Sequence, residues 1–156
     1  MIEGEAISTI PVLDLPPAPR KGLVVVTCMD SRLDVFRMLD LDIGDAHILR
    51  NAGGRVTDDT LRSLVLSMHM MATREVFVIH HTGCGLHRVT NESLHDRVLE
   101  ATGQVATAID FLPFDDLVAS VAEDVERVRT LPLLPAGITV TGAVYDVHSG
   151  TLHRVA

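Results

Sequence analysis

The 156-residue sequence predicts an α/β fold, a mostly parallel central sheet with flanking helices and an antiparallel edge strand near its C-terminal end. Three observations carry that reading. Short, continuous apolar runs at 23–27, 45–50 and 75–80 have the composition of strands buried on both faces. Segments with three- and four-residue apolar spacing alternate with those runs, as strand–helix–strand units require. Finally, "ITVTGAVYDVHSGTLHRVA" (138–156) reads as a strand, a turn at Ser149-Gly150 and a return strand.

Taken in order, residues 1–22 are proline-rich and weakly patterned and are expected to form an N-terminal arm. Residues 23–156 are expected to make a single α/β domain. A buried strand begins at Leu23, and "SRLDVFRMLD" places Leu33, Phe36 and Leu39 at the spacing of a short helix. "DAHILR" is the second strand. "NAGGRVTDDT" is a glycine turn leading into a helix, with Thr57 able to cap and Asp58 and Asp59 complementing the positive end of the helix dipole. Leu61, Leu64, Val65, Met68 and Ala72 give that helix one apolar stripe, so "MHMM" (68–71) reads as core packing rather than soft-metal binding. "EVFVIH" is the third strand. Residues 85–112 are polar and weakly periodic and are expected to be loop or short helices, before "PFDDLVASVAEDVERVRT" forms a helix with Leu117, Val121, Val125 and Val128 in register. With strand two outside strand one and strand three on its other side, Cys28 and His81 leave adjacent strands at their carboxyl ends. Open α/β sheets form their crevice there.

Composition narrows the functions available. Hydrophobic residues make up 47% and charged residues 22%, an apolar surplus that calls for an oligomeric partner surface. Acidic residues outnumber basic ones 21 to 13, for a net charge of −8, and no Lys/Arg run interrupts that field, which argues against nucleic acid or an anionic membrane as partner. The first twenty residues have neither the basic start nor the apolar core of a signal peptide, and no stretch is long enough to span a bilayer. A cytoplasmic location is the expectation. Two cysteines in that setting are ligands or redox groups rather than a structural disulfide.

Both cysteines end apolar runs, Cys28 in "VVVTCMDSR" and Cys84 in "VIHHTGCG". His81 and Cys84 are three apart on a turn containing Gly83, a spacing at which both can reach one ion. Two thiolates and an imidazole suit zinc and leave a fourth position for water or a carboxylate, the mark of a catalytic site. Asp30 is placed to orient a zinc-bound hydroxide, and Arg32 to hold Asp30 by a bidentate pair. Released from Arg32, Asp30 becomes a possible fourth ligand in a closed state. Because two thiolates cancel the charge of zinc, activity should favour alkaline conditions. His80, alternating with His81, should point away and serve structure; His87 and His95 read as solvated rather than as proton relays.

"CMDSR", "RNAGG" and "HHTGCG" together resemble the β-class carbonic anhydrase family. The resemblance implies reversible hydration of carbon dioxide to bicarbonate by attack of zinc-bound hydroxide, with one Zn²⁺ per subunit on Cys28, His81 and Cys84 and a catalytic dyad of Asp30 and Arg32. It places the backbone N–H of Gly85 toward the substrate, with Gly53 and Gly54 letting the chain pass close to the site. It matches Arg50 to an arginine of a bicarbonate switch. It also implies a homodimer or a tetramer of dimers with the site at the subunit interface. Related proteins on this scaffold hydrolyse carbonyl sulfide or carbon disulfide, which is the alternative activity. A non-enzymatic zinc- or thiol-sensing protein is the third reading.

Overall fold

The computed structural model describes residues 14–156. The expected arm lies outside the described residues over 1–13, and residues 14–22 run to the sheet without helix or strand. Five strands form one sheet in the order β2-β1-β3-β4-β5. They are β1 (Leu23–Cys28), β2 (Ala46–Asn51), β3 (Glu75–His81), β4 (Thr139–Asp146) and β5 (Thr151–Arg154). β1 pairs in parallel with β2 and β3, β3 pairs in parallel with β4, and β5 runs antiparallel at the edge. This is the architecture expected from the sequence.

The valine-rich β1 is buried along its whole length because both faces of the sheet are covered. On one face, Val24 and Val26 join Leu64 and Met68 of α2 (Asp58–Met70) and Val121, Val125 and Val128 of α4 (Leu117–Arg129). On the other, Leu23 and Val25 join Val35, Met38 and Leu39 of α1 (Val35–Leu39). The division follows from topology. The chain adds β2 on one side of β1, then reverses to add β3 and β4, and right-handed crossovers then place α1 opposite α2 and α4. The reversal lies between β1 and β3, and so does the crevice at their carboxyl ends.

Five details differ from expectation, each for a local reason. α1 begins only at Val35, capped by the Asp34 side chain, so Val35 turns inward and Phe36 stands 38% exposed. α2 stops at Met70, which leaves Ala72 past the helix at φ 58° and outside the stripe. Within "MHMM" only Met68 is core; Met70, about 200° further round the helix, is 74% exposed. The weakly periodic region holds a helix of 12 residues, α3 (Asn91–Thr102), started by a reciprocal cap between Thr90 and Ser93 and burying none of its side chains. α4 opens at Leu117, because Asp116 accepts from the amides of Val118 and Ala119 and Phe114 is drawn into a β-bridge with His87. No helix among the described residues is long and apolar enough to cross a membrane.

Candidate metal centre

β1 ends on Cys28 and β3 on His81, and their register pairs Thr27 with Ile79. The hydroxyl of Thr27 donates to the Ile79 carbonyl at 2.8 Å, locking the two strand tips side by side. Cys84 follows on the turn after β3. The two sulfurs and a ring nitrogen of His81 all lie within 4.8 Å of one another, and all three residues are buried. The Nδ1 of His81 donates to the Thr82 carbonyl at 2.9 Å, which leaves Nε2 as the lone-pair nitrogen. That Nε2 is buried without a hydrogen-bond partner. An unmatched buried nitrogen costs on the order of 1–3 kcal/mol, a cost that a bound cation removes. The donor set of two sulfurs and one imidazole fits zinc.

The two sulfurs shift each other's acidity in opposite directions. A hydrogen bond from the Cys84 thiol, with the backbone N–H groups of Asp30 and Gly53 adding to it, brings the Cys28 thiol down to about 4 against the opposing effect of burial. Cys84 is pushed up, since its proton is held by the neighbouring thiolate and burial disfavours a second charge. A divalent cation held here would displace that proton and be bound by both thiolates.

Beside the cluster, Arg32 grips Asp30 with Nε at 2.9 Å from Oδ1 and Nη2 at 2.7 Å from Oδ2, while its backbone N–H donates to Oδ1 at 3.0 Å. These bonds, the side-chain pair foremost, hold the Asp30 carboxyl well below the usual carboxylate range. Arg32 Nη2 also donates to the Gly83 carbonyl at 3.0 Å, tying the dyad to the turn that carries Cys84. Asp30 Oδ2 stands 3.8 Å from His81 Nε2. Arg50 fixes the intervening backbone by donating to the carbonyls of Cys28 at 2.9 Å and Asp30 at 2.5 Å. Gly54, at φ +70°, passes so close to β1 that a Cβ there would lie 2.7 Å from the Cys28 nitrogen. A cleft of about 290 Å³ opens onto both cysteines and Asp30, walled by Met29, Ala52, Gly53, Gly85 and Leu86.

Residues 23–152 match the sequence profile of the carbonic anhydrase family. β-Carbonic anhydrase 1 of Mycobacterium tuberculosis is 38% identical over 141 residues, covering 90% of this chain and 86% of that one. The chain belongs to the β-carbonic anhydrase family. Family membership is not uniform in named activity: the carbon disulfide hydrolase of Acidianus sp. (strain A1-3) is 34% identical over 158 residues, covering 86% of this chain and 77% of its own. The crystal structure of a carbonic anhydrase from Streptococcus mutans superposes with a TM-score of 0.90 at 46% identity, covering 94% of this chain and 88% of that one.

The other histidines singled out in the sequence, His80, His87 and His95, take up backbone and core roles. His80 points to the opposite face from His81 and is fully buried, as alternation along the strand requires. His87 and His95 are less free than solvated loop residues: their Nε2 atoms donate to the carbonyls of Asp115 at 3.0 Å and Ile109 at 2.7 Å. Sequence reasoning did not anticipate the grip of Arg50 on two carbonyls, the Thr82 carbonyl that sets the His81 tautomer, or the partners of His80. Backbone acceptors leave no side-chain signature, so only the His80 partners had a readable signal, a carboxylate (Asp124) set among the apolar positions of α4.

Proposed function

We propose that this chain is a zinc-dependent enzyme that reversibly hydrates carbon dioxide to bicarbonate, with Cys28, His81 and Cys84 as ligands and Asp30 and Arg32 as its dyad. The observation that carries the reading is the unpartnered Nε2 of His81 beside two thiols, with an arginine-clamped carboxylate at 3.8 Å. Bound zinc supplies Lewis acidity that makes water nucleophilic, less strongly with two thiolates than with three imidazoles, so rates rise toward alkaline pH. Asp30 Oδ2 accepts the O–H of the attacking water and turns its lone pair toward the carbon. Arg32 keeps both carboxylate oxygens occupied, so that Asp30 orients the water rather than becoming a fourth ligand. Met29, Ala52 and Leu86 give an apolar wall to a linear, uncharged substrate, and the backbone N–H of Gly85, a residue that lines the same cleft, donates to one of its oxygens.

The same apolar wall favours a second reading, hydrolysis of carbon disulfide or carbonyl sulfide, because those molecules are also linear and uncharged. Stopped-flow assays on the zinc-loaded protein with each of the three substrates separate the two. Equimolar zinc and dominant carbon dioxide hydration are expected; hydrolysis of the sulfur substrates with negligible hydration overturns the assignment. Two cysteines that must stay reduced to serve as ligands fit a cytoplasmic setting. The exposed apolar side chains of Leu66, Met70 and Leu133 support a homodimer or a tetramer of dimers.

A further inference from the structure

A buried polar layer lies on the other face of the sheet, beneath the donor cluster. His80 turns away from His81 and meets α4, with Nδ1 2.9 Å from Ser120 Oγ and Nε2 donating to Asp124 Oδ2 at 3.1 Å. The same Asp124 oxygen accepts from Arg55 Nε at 2.8 Å. Arg55 directly follows the Gly53–Gly54 turn that rests on Cys28, and its guanidinium carbon stands 5.7 Å from the centre of the Phe114 ring. Phe114 stacks on both His80 and His87 at 5.6 Å. Its backbone also holds the chain behind Cys84, donating to Leu86 O at 3.1 Å and accepting from Arg88 N at 2.8 Å. His80, Ser120, Asp124 and Arg55 are 0%, 2%, 3% and 8% exposed.

Each candidate ligand is therefore backed by this layer or its neighbour Phe114: Arg55 follows the turn that rests on Cys28, His80 adjoins His81, and Phe114 pairs with the chain behind Cys84. None of the four lines the cleft. Burying a charged pair is costly, and apolar residues of similar size would join α4 to the sheet as well. Directional hydrogen bonds add what apolar contact lacks, a fixed angle between the joined segments. We propose that Asp124, acting through Arg55 and His80, is a positioning residue that sets the mutual placement of Cys28, His81 and Cys84 and hence the tightness and geometry of metal binding. This rests on the zinc reading above.

The test uses the double substitution Arg55→Met with Asp124→Val, which removes both charges with little change in their combined volume. Zinc affinity is measured by competition with a chelator, ligand geometry by the visible spectrum of the cobalt(II)-substituted protein, and foldedness by thermal unfolding. The expected result is a folded protein whose zinc dissociation constant rises about tenfold or more, with shifted thiolate-to-cobalt bands. A folded double variant with unaltered affinity and spectrum overturns the proposal. Should it fail to fold, His80→Phe keeps a ring against Phe114 and leaves Arg55 paired with Asp124; the same two readouts then decide, and no change in either overturns the proposal. Wild-type protein that binds no zinc sinks both this inference and the zinc reading, whereas tight wild-type binding alongside unaffected variants sinks this one alone.

Discussion

Asp30 has both carboxylate oxygens on Arg32, so the two residues are expected to fail differently when changed. Asp30→Asn loses the acceptor for the attacking water and should lower carbon dioxide hydration by about 10²-fold while zinc content stays at one per chain. Arg32→Gln frees Asp30 to reach the metal, and hydration should fall by about 10–100-fold with zinc held as tightly or tighter. Zinc analysis beside stopped-flow rates checks both; an Asp30→Asn enzyme of wild-type rate removes Asp30 from the chemistry. Gly54→Ala forces a Cβ to 2.7 Å from the Cys28 nitrogen and should cost about 1–3 kcal/mol in denaturant unfolding, with weakened zinc binding. At this scale the site was legible because its five side chains fall in two short motifs. Arg50 was not read as a backbone clamp, since the carbonyls it grips belong to no residue type.

Elements were legible where burial enforces a pattern and illegible where it does not. β1 and the apolar stripe of α4 announce themselves because each contacts a covered surface. α3 fully buries no side chain and carries only a faint apolar stripe, Leu94 with Val98, and its start depends on the exchange of hydrogen bonds between Thr90 and Ser93. The start of α4 depends on Asp116, whose side chain accepts from two amides. Asp116→Ala should therefore lower stability by about 1 kcal/mol, seen as a lower midpoint in urea. An unchanged midpoint would mean that packing of Val121, Val125 and Val128 alone fixes where this helix begins.

Across the whole molecule, several carboxyls titrate below their usual range. Asp30 is held down by the Arg32 side chain, Asp45 chiefly by the Asp42 amide, Asp110 by the Asn91 side chain and Asp146 by the His148 amide. Each depressed group adds stability that is present above the unfolded value near pH ~4 and is lost as acid protonates the folded form. Thermal midpoints should accordingly hold between neutral pH and about 5 and drop below ~4; a midpoint that rises on acidification contradicts the assignment. Light scattering on the eluted protein should give a mass of at least two chains. The sheet class was readable from alternation, and the order β2-β1-β3 could be supposed from it, but nothing in the sequence placed β4 beside β3. The distribution of exposed apolar side chains was not readable either, because composition counts residues without placing them.

The hydrogen bond from Thr27 to Ile79 joins residues 52 positions apart, and the candidate ligands meet only after those strands have paired across the intervening β2 and α2. Pairing over such a separation is slow, and no ion can hurry it, since until it happens Cys28 lies apart from His81 and Cys84 and the donor set is incomplete. Zinc should thus leave the refolding rate untouched and act wholly by slowing escape from the native state.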